Sequence, residues 1–221
     1  MGKFNNNKVK VWDVPTRFFH WSLVISIFIC WLSMDQRWLD VHKISGVFVL
    51  FLLIYRLIWG VVGAQTARFI NFLSWPKEAL QYLKRSLTNN SEYHAGHNPA
   101  GGWMVIAFIF IILLEVLAGM FSNDDIGFYG PFADGITKEY SDMATQLHIF
   151  LFDVLLILIW LHLVAVFFYV LVKSQNLVSA MITGDKPTHQ VGGNKKFSFT
   201  SPLVTLVVYV IAAVIPIYIL F

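Results

Sequence analysis

Four histidines lie inside long apolar segments of this 221-residue chain or at their ends: His20, His42, His148 and His162. An imidazole in hydrocarbon is costly, so such a residue usually pairs with another group or binds a functional one. Each histidine alone also has a simpler explanation, because it can cap a helix or bond to a backbone carbonyl. The set of four is more informative than any member and indicates ligands of a metal-centred cofactor.

The spacing of the two later histidines predicts two separate sites. His148 and His162 are 14 residues apart, which is close to four helical turns, so both project from nearly one face, about 21 Å apart along the axis. Each site then needs a second histidine at its own depth. The second and fourth spans begin on the same side of the membrane, so His42 lies at the depth of His148. The first span begins on the other side, so His20 lies at the depth of His162. These depths disfavour the swapped pairing. Two distant layers also disfavour a tetrahedral zinc site.

Two imidazoles on opposite sides of an iron ion suit a haem in the core of a helical bundle. The chain has one cysteine, Cys30, and no Cys-x-x-Cys-His sequence, so the two haems would be non-covalent and b-type. Gly46, one turn after His42, leaves room for a flat macrocycle or simply lets helices pack closely. Arg17 and Arg56 are candidates to pair with haem propionates, or they anchor the helices at the headgroups.

Five apolar stretches are long enough to place these histidines across a bilayer. The sequence is 57% hydrophobic and 13% charged, against roughly 25% charged residues in soluble domains. A span needs about 20 helical residues, and the stretches cover 18–34, 44–63, 101–122, 147–172 and 203–221. We expect an all-α integral membrane protein. Residues 1–175 would form a four-helix transmembrane haem-binding bundle, 176–201 a cytoplasmic polar linker, and 202–221 one additional C-terminal transmembrane helix.

Charged residues are distributed unevenly between the connections. Lysine and arginine concentrate in the leader and in the second and fourth connections, so the positive-inside rule places the N-terminus in the cytoplasm and the C-terminus in the periplasm of a bacterial inner membrane. Five acids crowd the third connection: Asp124, Asp125, Asp134, Glu139 and Asp142. This periplasmic loop either docks a basic redox protein or is an ordinary solvated loop.

Several motifs occur in order along nearly the whole chain. They are Val11–Asp13 with Arg17–Trp21, His42–Gly46 with Tyr55–Gly60, Gly96–Trp103, and His148 with His162. Together they resemble the bacterial cytochrome b561 family, which includes the cytochrome b subunits of nickel-iron hydrogenases. The resemblance implies two b haems held by histidines of the first, second and fourth helices, and electron exchange with quinone or quinol. The partner would be a dehydrogenase or hydrogenase, a c-type cytochrome or superoxide. A fifth span departs from the four-helix members.

Two residues have open roles at this point. His97, within the third motif, is expected to contact a propionate or a quinone headgroup; the alternative is a surface loop histidine. Glu115, midway along the third span, is expected either to take up a proton coupled to quinone chemistry or to hydrogen-bond to a neighbouring helix.

A different class of function is a histidine-lined transporter or metal permease without haem. The first four spans have no internal proline and no repeat, which disfavours this alternative. Expected partners are membrane lipid, quinone and a redox protein, whereas a net charge of +3 gives no argument for nucleic acid. Whether the chain is an enzyme depends on whether quinone reacts on it.

Overall fold

A computed structural model describes residues 8–87, 93–192 and 195–220. The elements in chain order are β1 (Lys8–Lys10), α1 (Val14–Asp35), α2 (Leu39–Val62), α3 (Phe69–Phe72), α4 (Pro76–Ser86), α5 (Pro99–Phe121), α6 (Lys138–Leu171), α7 (Leu177–Thr183), β2 (Asp185–Pro187) and α8 (Pro202–Leu220), with short 3-10 turns at Ala133–Gly135 and Thr188–Gln190. Helices α1, α2, α5, α6 and α8 are long and apolar enough to cross a membrane. The predicted all-α membrane class is confirmed.

The long helices begin and end within five residues of the predicted spans, with one exception. Helix α6 begins at Lys138, nine residues before the predicted start at 147. Its first turns are polar, so a search for apolar runs does not detect them. At the start of α5, the side chain of Asn98 accepts a hydrogen bond from the Gly101 amide at 2.7 Å, as expected for a helix cap before Pro99.

The chain divides into two compact units, each described here by itself. The first unit consists of Met1–Phe18, Ile58–Ile106 and Leu161–Thr205, and the second of Phe19–Leu57, Ala107–Trp160 and Leu206–Phe221.

The second unit is built around apolar contacts between long helices. Its buried core contains Val49 and Leu53 of α2, Ile112 of α5 and Leu155 of α6. The C-terminal helix α8 packs on α2 through aromatic stacking, because the rings of Tyr55 and Tyr209 lie 4.5 Å apart between centroids and nearly parallel. The fifth helix is therefore packed against the polypeptide of this unit along part of its length.

The first unit contains a small ordered structure built from both ends of the chain. Strand β1 pairs antiparallel with β2, with Lys10 opposite Asp185, and Trp12 and Ala180 pack in a buried cluster beside them. The stretch 176–201, predicted as a polar linker, thus contains a helix and a paired strand. Because this stretch is mostly polar, its few small apolar residues, such as Ala180, did not indicate that it packs against Trp12. The division into domains at 175 and 201 stays a prediction.

Candidate functional site

The histidine side chains of α2 and α6 face each other in the second unit. The ring centroids of His42 and His148 are 6.1 Å apart, and the ring planes are at 88°. An imidazole nitrogen binds a metal ion at about 2 Å, so two rings on opposite sides of one ion have centroids on the order of 6 Å apart. The structure therefore brings together these two predicted residues at a separation that leaves room for one ion between them.

Hydrogen bonds to backbone carbonyls orient both rings. Nδ1 of His42 lies 2.9 Å from the carbonyl oxygen of Cys30, and Nδ1 of His148 lies 2.9 Å from the carbonyl oxygen of Glu115. Because a carbonyl only accepts hydrogen bonds, each Nδ1 carries the proton and donates it. Each Nε2 then presents its lone pair, which is the tautomer that a metal ligand needs.

A cavity of about 380 Å³ lies beside the two histidines, within the size range of cofactor sites. Gly46 borders it, and a Cβ added at Gly46 would meet no atom within 4 Å, so open space adjoins the helix backbone there. The exposed residues of the lining all belong to α1 and α6: Trp31, Met34, Asp35, Ile149 and Asp153. The cavity therefore opens between these two helices.

Helix α5 places an acid against one of the histidines. Glu115 is 8% exposed, and its Oε1 lies 3.3 Å from Nδ1 of His148. One turn further along, Gly119 allows the ring to lie close to the helix, because a Cβ there would be 3.0 Å from the His148 Cε1. The sequence showed Glu115 as an acid in a span but gave no signal for its contact, and it gave none for the role of Gly119.

Asp153 of α6 also lines the cavity and was missed by the sequence analysis. The signal was present, because an acid within the apolar stretch 147–172 is an intramembrane ionisable residue like Glu115. Its side chain is exposed at the opening of the cavity.

The residues present fit a haem. The donors are two imidazoles in the right tautomer, beside a glycine that faces open space. Within the described ranges no group of three or more histidine, cysteine or acidic side chains could hold a metal ion. Two protein ligands are sufficient where a macrocycle supplies the other donors, as in haem iron.

The second predicted pair is divided between the two units. His20 lies in the second unit, where its ring meets Trp21 edge to face with centroids 5.0 Å apart. His162 lies in the first unit. The pairing of His20 with His162 stays a prediction.

The two arginines predicted near propionates are both engaged in the protein. Arg17 donates a hydrogen bond to the carbonyl oxygen of Ile182 in the last turn of α7, where a cation also favours the negative end of the helix dipole. Arg56 is buried within α2, at 3% exposure. Contact of either guanidinium with a propionate stays a prediction.

His97 is part of an aromatic cluster of the first unit. Its ring lies 4.8 Å from the ring of Trp12 and 4.6 Å from the ring of Phe72, measured between centroids. His97 is therefore a half-buried loop residue that packs among aromatic rings. A contact with a propionate or quinone headgroup stays a prediction.

Neighbouring cations neutralise much of the negative charge of the acidic loop after α5. Asp124 pairs with Arg37 at 3.1 Å, and Lys138 contacts Asp125 at 2.6 Å and Asp142 at 2.8 Å. Three of the five acids expected to attract a basic partner are thus in ion pairs, which weakens the case for electrostatic docking at this loop.

Comparison with known proteins identifies the family of the chain. A family model for prokaryotic cytochrome b561 matches residues 11–184, a stretch that contains all four of the histidines His20, His42, His148 and His162. No curated protein and no solved structure matches the chain. Helix α8 lies outside the matched range. The chain belongs to the prokaryotic cytochrome b561 family and is a membrane-bound, haem-binding b-type cytochrome that functions in electron transfer.

Proposed function

We propose that this protein holds two b haems and transfers electrons between the quinone pool and a redox partner. One haem would be held by His42 and His148, and the other by His20 and His162. The observation that carries the proposal is the facing pair His42 and His148, with centroids 6.1 Å apart beside a cavity. The alternative of a haem-free permease has no such support, since the family is one of cytochromes.

The chain's own residues would bind, orient and shield the group. The carbonyls of Cys30 and Glu115 hold the protons on Nδ1 of the two histidines, so that Nε2 faces the iron. Apolar side chains of α2, α5 and α6 keep water from most of the cavity, as Val49 and Ile112 do in the core beside it. When bound, a haem supplies one-electron chemistry, its potential tuned by its ligands and surroundings.

The membrane arrangement supports electron transfer across the bilayer. The positive-inside rule would place the N-terminus in the cytoplasm, the C-terminus in the periplasm and the His42–His148 pair near the periplasmic side of the inner membrane. Quinone is a fitting lipid-soluble reactant because the cavity opens between two helices of a membrane protein. The second partner would be a dehydrogenase or hydrogenase, a c-type cytochrome or superoxide, as the family resemblance implies.

The test is the haem content of purified single-histidine variants. We expect two b haems per chain in the unaltered protein by pyridine haemochrome assay. His42→Ala and His148→Ala should each lose the same haem, identified by its midpoint potential. His20→Ala and His162→Ala should both lose the other. His189→Ala, which alters an exposed residue beyond the matched range, is the control and should keep both.

The same set of variants can disprove the proposal in separable ways. A colourless unaltered protein, purified from cells able to make haem, would reject haem binding altogether. Loss of different haems in His42→Ala and His148→Ala would reject the pairing but leave a di-haem protein.

A further inference from the structure

The two histidines that face each other are held unequally. Nδ1 of His42 contacts a single acceptor, the carbonyl oxygen of Cys30. Nδ1 of His148 contacts two oxygens of the same residue, the carbonyl oxygen of Glu115 at 2.9 Å and its side-chain Oε1 at 3.3 Å. The proton that His148 donates to the carbonyl therefore also has a carboxyl oxygen beside it.

We infer that Glu115 is a positioning residue for His148, which strengthens this imidazole as an electron donor to iron and lowers the potential of the haem bound there. The inference rests on the proposed ligation by His42 and His148. It concerns a residue for which neither the family match nor the proposed function gives a role.

The direction of the effect follows from the position of the carboxyl group. A carboxylate 3.3 Å from Nδ1 attracts the proton on this atom and leaves more electron density on the ring. Nε2 then donates more strongly and stabilises the ferric iron over the ferrous iron, because ferric iron carries the greater positive charge. The potential falls, as it does wherever the axial ligand becomes more basic.

The neighbourhood of Glu115 supports positioning over helix packing. Its Oε2 is buried and has no hydrogen-bond partner, and an unsatisfied buried oxygen costs about 1–3 kcal/mol. If the only role of this residue were to pack α5 against α6, an apolar side chain would do so without this cost. The polar end instead lies against the ligand ring, where it has an electronic effect.

Gly119 completes the contact from the same helix. A Cβ at this position would lie 3.0 Å from Cε1 and 3.2 Å from Nδ1 of His148, closer than side chains ordinarily approach. A side chain here would push the ring away from Glu115. Helix α5 thus places the carboxyl group of Glu115 beside the ring of His148 and, one turn later at Gly119, leaves space for that ring.

The test is a potentiometric titration of the purified protein with its haems, followed in the visible spectrum. Glu115→Gln keeps the size of the side chain and removes its charge. We expect both haems to be retained, one midpoint potential to rise and the other to stay unchanged. A tenfold weaker preference for the ferric state corresponds to about 59 mV for a one-electron couple. The ferric electron paramagnetic resonance signal of the same haem should also change.

Asp153→Asn is the matched control. It also removes an acid from the lining of the cavity, but among the residues that the structure describes no hydrogen bond or ion pair joins Asp153 to His148. We expect a smaller change of potential and an unaltered paramagnetic resonance signal. If the two variants change the midpoint potential equally, Glu115 acts only through its charge, as any acid in the lining of the cavity would. This result would overturn the inference.

Two further outcomes are decisive. Unchanged potentials in Glu115→Gln, with both haems present, would overturn the inference and leave the proposed function intact. If Glu115→Gln loses a haem, Glu115→Asp keeps a carboxyl group and should retain it with a shifted potential; loss in both variants would also overturn the inference. Absence of haem from the unaltered protein would reject the proposed function itself.

Discussion

One cluster of polar side chains in the first unit is hydrogen-bonded within the protein, whereas a pair of histidines in the second unit borders open space. In the first unit, the hydroxyls of Tyr82 and Tyr169 are 2.6 Å apart, and Asn98 donates to the Tyr169 hydroxyl at 3.0 Å. In the second unit, His42 and His148 line a cavity of about 380 Å³. Polar side chains are thus structural in one place and available for a ligand in the other. Packing around a side chain, more than its type, indicates its role.

Two glycines show this contrast most directly, and they give the largest expected effect. A Cβ at Gly46 in the second unit meets nothing within 4 Å, whereas a Cβ at Gly60 in the first unit would overlap the ring of Phe69. Gly46→Leu should therefore fold normally and bind one haem at least tenfold more weakly, because its side chain fills the space of the macrocycle. The measurement is haem per chain at increasing added haemin.

Gly60→Ala is the counterpart. We expect it to bind both haems but to unfold at a lower temperature, by the equivalent of about 1–3 kcal/mol for a crowded site. Normal haem content in Gly46→Leu would show that the open space is not the haem site. A loss of haem in Gly60→Ala without loss of stability would remove the contrast between the two units.

Much of the fold follows from the sequence because hydrocarbon imposes a simple rule. Each span must satisfy its own backbone hydrogen bonds and therefore forms a helix of predictable length. The histidine pair His42 and His148 follows from the same rule, since the start of one helix and its place in the topology determine depth. The cap of α5 follows a local rule too, because asparagine is a favoured capping residue and proline a favoured first residue of a helix.

The remaining features depend on contacts between distant residues, which no local pattern encodes. The order of stretch 176–201 comes from Ala180 packing against Trp12, and neither residue predicts the other. The acceptors of the two Nδ1 protons are the backbone carbonyls of Cys30 and Glu115. They become neighbours of the two rings only when α1 meets α2 and α5 meets α6. The gap at Gly119 likewise exists only beside the ring of His148.

In both units the free energy of unfolding should rise with pH, but for opposite reasons, because the fold disfavours a charged side chain in the first unit and favours one in the second. The larger effect is expected in the first unit. Burial lowers the pKa of Lys186 from 10.5 to about 8, and its Nζ donates to the carbonyl oxygen of His94 at 3.0 Å. Between these two pH values the unfolded chain binds more protons than the folded one. Stability therefore rises with pH from about 8 to 10.5, by on the order of 2 kcal/mol.

The measurement is the midpoint of thermal unfolding between pH 7 and pH 10.5, compared with Lys186→Met. The variant lacks the titrating amine, so its curve should miss the rise that the unaltered protein shows. Parallel curves over this range would mean that Lys186 keeps an ordinary pKa and is better solvated than its 5% exposure indicates.

The smallest effect is expected at the loop of the second unit, where the fold favours the charged form of the side chain and stability rises with pH in a more acidic range. Desolvation raises the pKa of Asp124, but hydrogen bonds from the amides of Phe128, Gly127 and Ile126 and from Arg37 outweigh it and lower the pKa from 3.8 to about 2. The ionised carboxylate thus stabilises the folded state fully above about pH 4, and the contribution is lost as pH falls toward 2. Solvent screening at the surface limits it to about 1 kcal/mol.

Asp124→Asn tests this contribution, since the amide oxygen accepts hydrogen bonds but carries no charge. Its unfolding midpoint should lie below that of the unaltered protein at pH 5, and the two should converge between pH 4 and pH 2. Lys138→Met, which removes a cation of the same loop without touching Asp124, should leave this convergence in place. A constant difference down to pH 2 would show that the three amides, and not the charge, hold the loop. The contrast between a charge that the fold disfavours in the first unit and one that it favours in the second would then be lost.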